Sequence, residues 1–129
     1  MMVSNQVLIV DDDADILKLI RRYCEKLGCS VREAQTAAEA RAALQGFTPD
    51  LVCLDLMLPD GSGYSICEQI RADPRLAQVP VLVLSARSSP VDRAAAEEAG
   101  ASEYLIKPLR WQSFADTAER LLAGGPQAN

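Results

Sequence analysis

Short apolar runs alternate with helical stretches along this chain. Val7-Leu8-Ile9-Val10 is a continuous apolar run of the kind that forms a strand buried on both faces. Asp13 then sits where a helix N-cap belongs. Ile16, Ile20, Tyr23, Cys24 and Leu27 follow at helical spacing, and Gly28 closes the helix. Cys29 to Ala34 reads as a second strand. Thr36-Ala37-Ala38-Glu39 is a capping box, so a second helix runs from there to about Gln45. Leu51-Val52-Cys53-Leu54 is a third buried strand. Pro59-Asp60-Gly61-Ser62-Gly63 has loop composition, and a third helix follows from about Tyr64 to Arg71. Val81-Leu82-Val83-Leu84 is the fourth strand. Ser89-Pro90-Val91-Asp92 combines an N-cap, a proline at the first helical position and an early acid, so a fourth helix opens there and stops at Gly100. Glu103 to Ile106 forms a weaker fifth strand. Phe114, Ala118, Leu121 and Leu122 mark the apolar stripe of a last helix. Strand and helix in regular alternation predict an α/β fold, a parallel sheet with helices on both faces.

Size and charge narrow the choices. With 129 residues and 49% hydrophobic positions, the expectation is one domain over residues 1–123, with 124–129 a tail or the start of a linker. A formal charge of −5 argues against a nucleic-acid-binding surface, which needs clustered Lys and Arg. No apolar run is long enough for a membrane span, and Met1 to Gln6 is no secretion signal. Cys24, Cys29, Cys53 and Cys67 form no CxxC pair, which predicts reduced, mostly buried thiols and a cytoplasmic location. The chain has no histidine, which excludes Ser-His-Asp and Cys-His catalysis.

The polar residues that break the apolar pattern fall where open α/β sheets bind ligands, past the carboxyl ends of the strands. Asp11 and Asp12 follow the first strand, Asp55 ends the third, Ser85 the fourth, and Lys107 the fifth. Asp13 and Asp15 read as acids at a helix N-terminus, favoured by its dipole. Three carboxylates converging on one crevice repel each other, and a hard divalent cation removes the conflict. Mg2+ suits such an oxygen donor set. Lys107 and the Ser85 hydroxyl suit a phosphoryl group. A metal-dependent phosphatase would need a second aspartate two residues beyond Asp55, where Met57 stands. A nucleotide-binding domain would need a glycine-rich loop in place of Asp11-Asp12-Asp13.

Five segments in order resemble the receiver domains of two-component response regulators. They are Val7 to Asp13; Asp50 to Gly63, with its Pro59 and Gly63; Val79 to Ala86; Gly100-Ala101; and Tyr104-Leu105-Ile106-Lys107-Pro108. The likeness spans about Val7 to Leu122. It implies a flavodoxin-like (βα)5 fold with sheet order 2-1-3-4-5 and a cis Lys107-Pro108 bond. It implies that Asp55 accepts a phosphoryl group from a phosphohistidine of a sensor histidine kinase or phosphotransfer protein. Asp11, Asp12, Asp55 and the backbone carbonyl of Met57 would hold Mg2+, while Lys107 and Ser85 would bind the phosphoryl oxygens. Ser85 and Tyr104, with Tyr104 rotating inward, would then switch the face formed by the fourth helix, fifth strand and fifth helix. Met57 and Arg87 flank the site and offer an attacking water no aid, so slow dephosphorylation is expected.

Other expectations follow from the departures. The alanine-rich fourth helix is expected to be mobile, and Trp111 to be a packing anchor. Ser102-Glu103, standing where an acidic pair is common, weakens the case for a phosphorylation-dependent homodimer. No output domain fits in this length, so the signal goes to a downstream protein target or to a covalently linked output domain. Met1 close to the first strand favours an N-terminal receiver. The competing reading is a receiver-like interaction module that works without phosphorylation.

Overall fold

The computed structural model describes residues 4–124. Its strands and helices follow in the order β1 (Gln6–Val10), α1 (Ala14–Lys26), β2 (Ser30–Ala34), α2 (Ala37–Gln45), β3 (Leu51–Asp55), β4 (Met57–Leu58), β5 (Gly61–Ser62), α3 (Gly63–Ala72), β6 (Val81–Ser85), α4 (Pro90–Ala99), β7 (Glu103–Ile106) and α5 (Trp111–Ala123). The main sheet is parallel, in the order β2-β1-β3-β6-β7. Counting only these five strands, the order is the expected 2-1-3-4-5, the flavodoxin-like arrangement.

The apolar strands run without interruption because both faces of the sheet are covered. Successive side chains point to opposite faces. Leu8, Val10, Val52, Leu54, Val81 and Val83 pack with Ile66 and Ile70 of α3 and Ala96 and Ala99 of α4. Val7, Ile9, Leu51, Cys53, Leu82 and Leu84 pack with Leu17, Ile20 and Cys24 of α1 and Phe114, Ala118 and Leu121 of α5. The edge strand β2 carries exposed Arg32 and Glu33, charges that discourage another chain from pairing there. All four cysteines are free and buried, and burial pushes the thiols of Cys24 and Cys67 up to about 12 and about 11. None of the described helices is long and apolar enough to cross a membrane.

The caps follow the sequence closely. Asp13 accepts the N–H groups of Asp15 and Ile16 at the start of α1, Thr36 that of Glu39, and Ser89 that of Asp92. Gly28 and Gly100 take the left-handed conformation after α1 and α4 (φ 82° and 114°). Lys107-Pro108 is cis, as expected. Four details differ from the sequence expectation. Strand β2 begins at Ser30, not Cys29. Helix α1 buries Leu17, while Ile16, Tyr23 and Leu27 are only half-buried. Helix α3 begins at Gly63, where Ser62 caps it by accepting the Tyr64 N–H. The segment expected as a plain loop contains a small antiparallel ribbon, pairing Met57 with Ser62 and Leu58 with Gly61. Of the expected tail, residues 124–129, only Gly124 lies within the described residues.

One tie across the floor of the sheet had no counterpart in the sequence. Arg71, near the end of α3, donates to the carbonyls of Gly100 (2.9 Å), Ala77 (3.1 Å) and Val79 (2.6 Å) and to Ser102 Oγ (3.2 Å). Ser102 Oγ also accepts the Val81 N–H at 3.0 Å. The serine expected to bear on dimer formation is thus engaged inside the chain, as is Glu103, paired with Arg120 at 2.9 Å.

Candidate functional site

Parallel strands end at the same edge of a sheet, and register decides which ends meet. Val10 of β1 stands beside Leu54 of β3, so Asp11 and Asp55 emerge next to each other. Asp55 pairs with Leu84 of β6, and Ser85 pairs with Ile106 of β7. The Lys107 N–H donates to the Ser85 carbonyl at 2.8 Å, fixing the start of the last connection. The backbone therefore sets Asp11, Asp55, Ser85 and Lys107 along one edge.

The side chains close the site. Carboxylate oxygens of Asp11, Asp12 and Asp55 lie within 4.8 Å of one another. Asp11 and Ser85 are fully buried, Asp55 is 7% exposed, and Asp12 is open to solvent. Lys107 Nζ lies 2.7 Å from Asp11 Oδ2 and 3.5 Å from Asp55 Oδ2. The second oxygen of Asp11 accepts the Asp13 N–H at 3.0 Å, and that of Asp55 accepts the Met57 N–H at 3.2 Å. Three carboxylates face one ammonium, so negative charge remains in excess. Burial raises the pKa of Asp55, with the neighbouring Asp11 adding to the rise; the Met57 N–H and Lys107 hold it back. Burial would lower the pKa of Lys107, but its bond to Asp11 and the charges of Asp55 and Asp11 outweigh burial and raise it. The donors are all oxygens, one carboxylate faces solvent, and the charge is uncompensated. This set fits a hard divalent cation that keeps part of its water shell, as Mg2+ does.

Around this centre, Ser85 Oγ accepts the Arg87 N–H at 3.0 Å. Tyr104 is 5% exposed, and its hydroxyl donates to the Arg87 carbonyl at 2.8 Å. The ring is therefore buried in this structure, not turned out to solvent. Arg87 turns its guanidinium to Asp92, 3.4 Å away. Met57 is 55% exposed at the rim. Trp111 packs against Tyr23 with ring centroids 5.4 Å apart, under the Lys26 ammonium, as an anchor would.

Two further residues shape the site: Gly63, which the resemblance marks as the close of its segment, and Asp60, which was not singled out from sequence. A Cβ on Gly63 would overlap the Asp55 carbonyl oxygen, so α3 can start against the end of β3 only with glycine there. Asp60 accepts the N–H groups of Ala37 (2.7 Å) and Ala38 (3.0 Å) at the start of α2, and these bonds hold its carboxyl below the usual range. In sequence, Asp60 has only the signature of a turn former. Its partners lie more than twenty positions upstream, beyond the reach of a local motif.

Comparison with known proteins agrees with this geometry. Residues 7–119 match the model of the response regulator receiver domain. The chain is 42% identical over 106 residues to the transcriptional regulatory protein GltR of Pseudomonas aeruginosa, covering 82% of this chain and 44% of that protein. It is 43% identical over 106 residues to the transcriptional regulatory protein PrrA of Mycobacterium tuberculosis, covering 82% of this chain and 45% of that one. The chain thus spans less than half the length of these regulators. A response regulator structure from Chloroflexus aurantiacus superposes with a TM-score of 0.90 at 31% identity, covering 94% of this chain and 99% of that one. The receiver domain of a sensor histidine kinase from Pseudomonas aeruginosa, with a magnesium ion coordinated in its active-site cleft, superposes with a TM-score of 0.86 at 26% identity, covering 94% and 99%. A domain match over most of the chain, on a fold and strand-end arrangement of the same kind, makes this chain a member of the response regulator receiver domain family of two-component signalling.

Proposed function

We propose that this domain is the phosphoacceptor of a two-component relay, with Asp55 the residue that is phosphorylated. The observation that carries the reading is the convergence of Asp55 with two further carboxylates and Lys107 at one strand edge. Asp11, Asp12 and Asp55, with the backbone carbonyl of Met57, would hold Mg2+. Bound there, the ion offsets carboxylate charge and polarises a phosphoryl oxygen. The related kinase receiver with magnesium in its cleft supports this assignment.

The donor is a phosphohistidine on a sensor histidine kinase or a phosphotransfer protein. A carboxylate oxygen of Asp55 attacks phosphorus and the P–N bond breaks. The electron pair leaves on the imidazole nitrogen, which takes up a proton, and Asp55 carries an acyl phosphate. No base is required, because a carboxylate is ionised at neutral pH. Lys107 exchanges part of its hold on Asp11 for a phosphoryl oxygen, and the Ser85 hydroxyl donates to another. Drawing Ser85 inward tugs on the Arg87 N–H and, through Arg87, on the hydroxyl of Tyr104. The change spreads to the α4-β7-α5 face. Hydrolysis of the acyl phosphate, slow with Met57 and Arg87 at the rim, resets the domain.

Residues 1–123 make up the receiver, which acts in the cytoplasm. Its output goes to a downstream protein or a linked domain, as the transcriptional regulators among its relatives favour. The receiver itself does not bind nucleic acid. Incubation with a small acyl phosphate, read by intact mass, tests the central claim. One phosphoryl adduct is expected with Mg2+, and none without Mg2+ or in Asp55→Asn. No adduct under any condition would overturn the relay reading and leave a phosphorylation-independent interaction module.

A further inference from the structure

The β4-β5 ribbon, which carries Met57, has little of its own to hold it in place. It consists of two residue pairs, and Met57, Gly61 and Ser62 are all exposed. A ribbon this short is marginal alone. Its backbone is pinned at the base, where the Gly63 N–H donates to the Leu56 carbonyl at 2.9 Å. At the tip, the Asp60 carboxylate spans two of the open N–H groups of α2, those of Ala37 and Ala38. The third, on Glu39, goes to Thr36 Oγ at 3.0 Å. Gly61 lies against Ala37, close enough that a Cβ there would touch the Ala37 methyl at 3.7 Å. The start of α2 is itself tied to the site, because the strand before it accepts the Asp11 N–H on the Ala34 carbonyl at 3.1 Å. A continuous path therefore runs from Asp11 through Ala34 and the first turn of α2 to Asp60, along the ribbon to Met57, and from the Met57 N–H to Asp55.

We propose that Asp60 is a positioning residue of the metal site: clamped on the N-terminus of α2, it fixes the ribbon and so sets the Met57 backbone relative to Asp11 and Asp55. The inference rests on the reading that Mg2+ binds at these residues. An anionic carboxylate suits the task better than a neutral cap, since it accepts two N–H groups at once and meets the positive end of the helix dipole. The side chain touches neither the metal carboxylates nor Lys107, so it acts only through the backbone it restrains.

The test compares Asp60→Ala with Thr36→Ala. Both remove a cap from the same end of the same helix, but only the first releases the ribbon. Mg2+ is titrated into each protein and followed by amide NMR, and hydrogen exchange is measured on the metal-free proteins. Asp60→Ala is expected to weaken Mg2+ binding about tenfold, the lower end of what losing an indirect support costs a metal site. Exchange at residues 57–62 should rise with it. Thr36→Ala is expected to lower the melting temperature comparably while binding Mg2+ as the wild type does. Unchanged affinity and exchange in Asp60→Ala would overturn the proposal, as would an equal loss of affinity in Thr36→Ala, which would reduce Asp60 to a helix cap. A wild type that binds no Mg2+ would overturn the underlying reading and this proposal together.

Discussion

Replacing Arg71 with methionine should remove a large share of the stability while leaving the strand-edge carboxylates and Lys107 chemically intact. The guanidinium makes four hydrogen bonds, all to neutral acceptors and none to a carboxylate. Burial accordingly lowers its pKa. A hydrogen bond to a charged group contributes about 1.5–3 kcal/mol net, so a simple sum would exceed the whole stability of many domains. The side chain is only half-buried, and water can reach some of the abandoned carbonyls. The lower end applies, with about 3 kcal/mol lost for the group of bonds together. Methionine keeps the apolar stem, so no cavity confounds the result. At a urea m-value of about 1.5 kcal/mol/M, the midpoint falls by about 2 M. Trp111, the only tryptophan, packs with α1 on the opposite face of the sheet and reports global unfolding by fluorescence; far-UV circular dichroism should give the same midpoint. Arg71→Lys should recover only a minor part, because an ammonium cannot reproduce the planar fork. A loss below about 1 kcal/mol in Arg71→Met would mean that solvent replaces the guanidinium at little cost and that the four bonds contribute little to the fold.

Gly63→Ala should cost about 2–3 kcal/mol in urea denaturation, because its Cβ would strike the Asp55 carbonyl and the Leu56 Cα at 2.9 Å; stability equal to wild type would show that α3 can retreat freely. Asp55→Asn should raise the melting temperature of the metal-free protein at pH 7. The folded pKa of Asp55 lies above its unfolded value, so its ionised form opposes folding above that pKa and ceases to do so below the unfolded one. The gain should therefore fade on acidification, and saturating Mg2+ should cancel it by stabilising the wild type alone; a gain independent of both pH and Mg2+ would contradict the assigned cause. Amide hydrogens of α4 should exchange faster than those of α1 and α5, since α4 buries only Ala96 and Ala99; slow exchange there would count against a mobile helix.

What was legible from sequence shares one property: it depends on neighbours along the chain. Ser89-Pro90 and Thr36 to Glu39 announce helix starts because a cap reaches only three residues. Asp11, Asp55, Ser85 and Lys107 could be grouped because parallel strands send every residue that follows an apolar run to the same edge. Arg71 and Asp60 could not be found this way. Each closes contacts with segments more than twenty positions distant, and each resembles a common surface residue until the fold is known. The ribbon at 57–62 was hidden by its Pro-Asp-Gly composition, which specifies a turn without revealing that the flanking residues pair. Leu17 was missed because periodicity gives the spacing of a buried stripe, whereas packing on the sheet decides its phase around the helix.

The alanine face of α4 has a consequence for speed. Large side chains lock helices by interdigitation, and to shift such a helix each must change rotamer in a crowded space. Methyl groups have no rotamers to change and leave shallow grooves. Ala96 and Ala99 give α4 only methyl groups to bury, so a shift of this helix would meet less interlocking than a shift of the elements packed around Phe114 on the other side. If Asp55 is phosphorylated as proposed, the chemistry there rather than the movement of α4 would set the pace of the response, and a larger residue at either alanine would slow it.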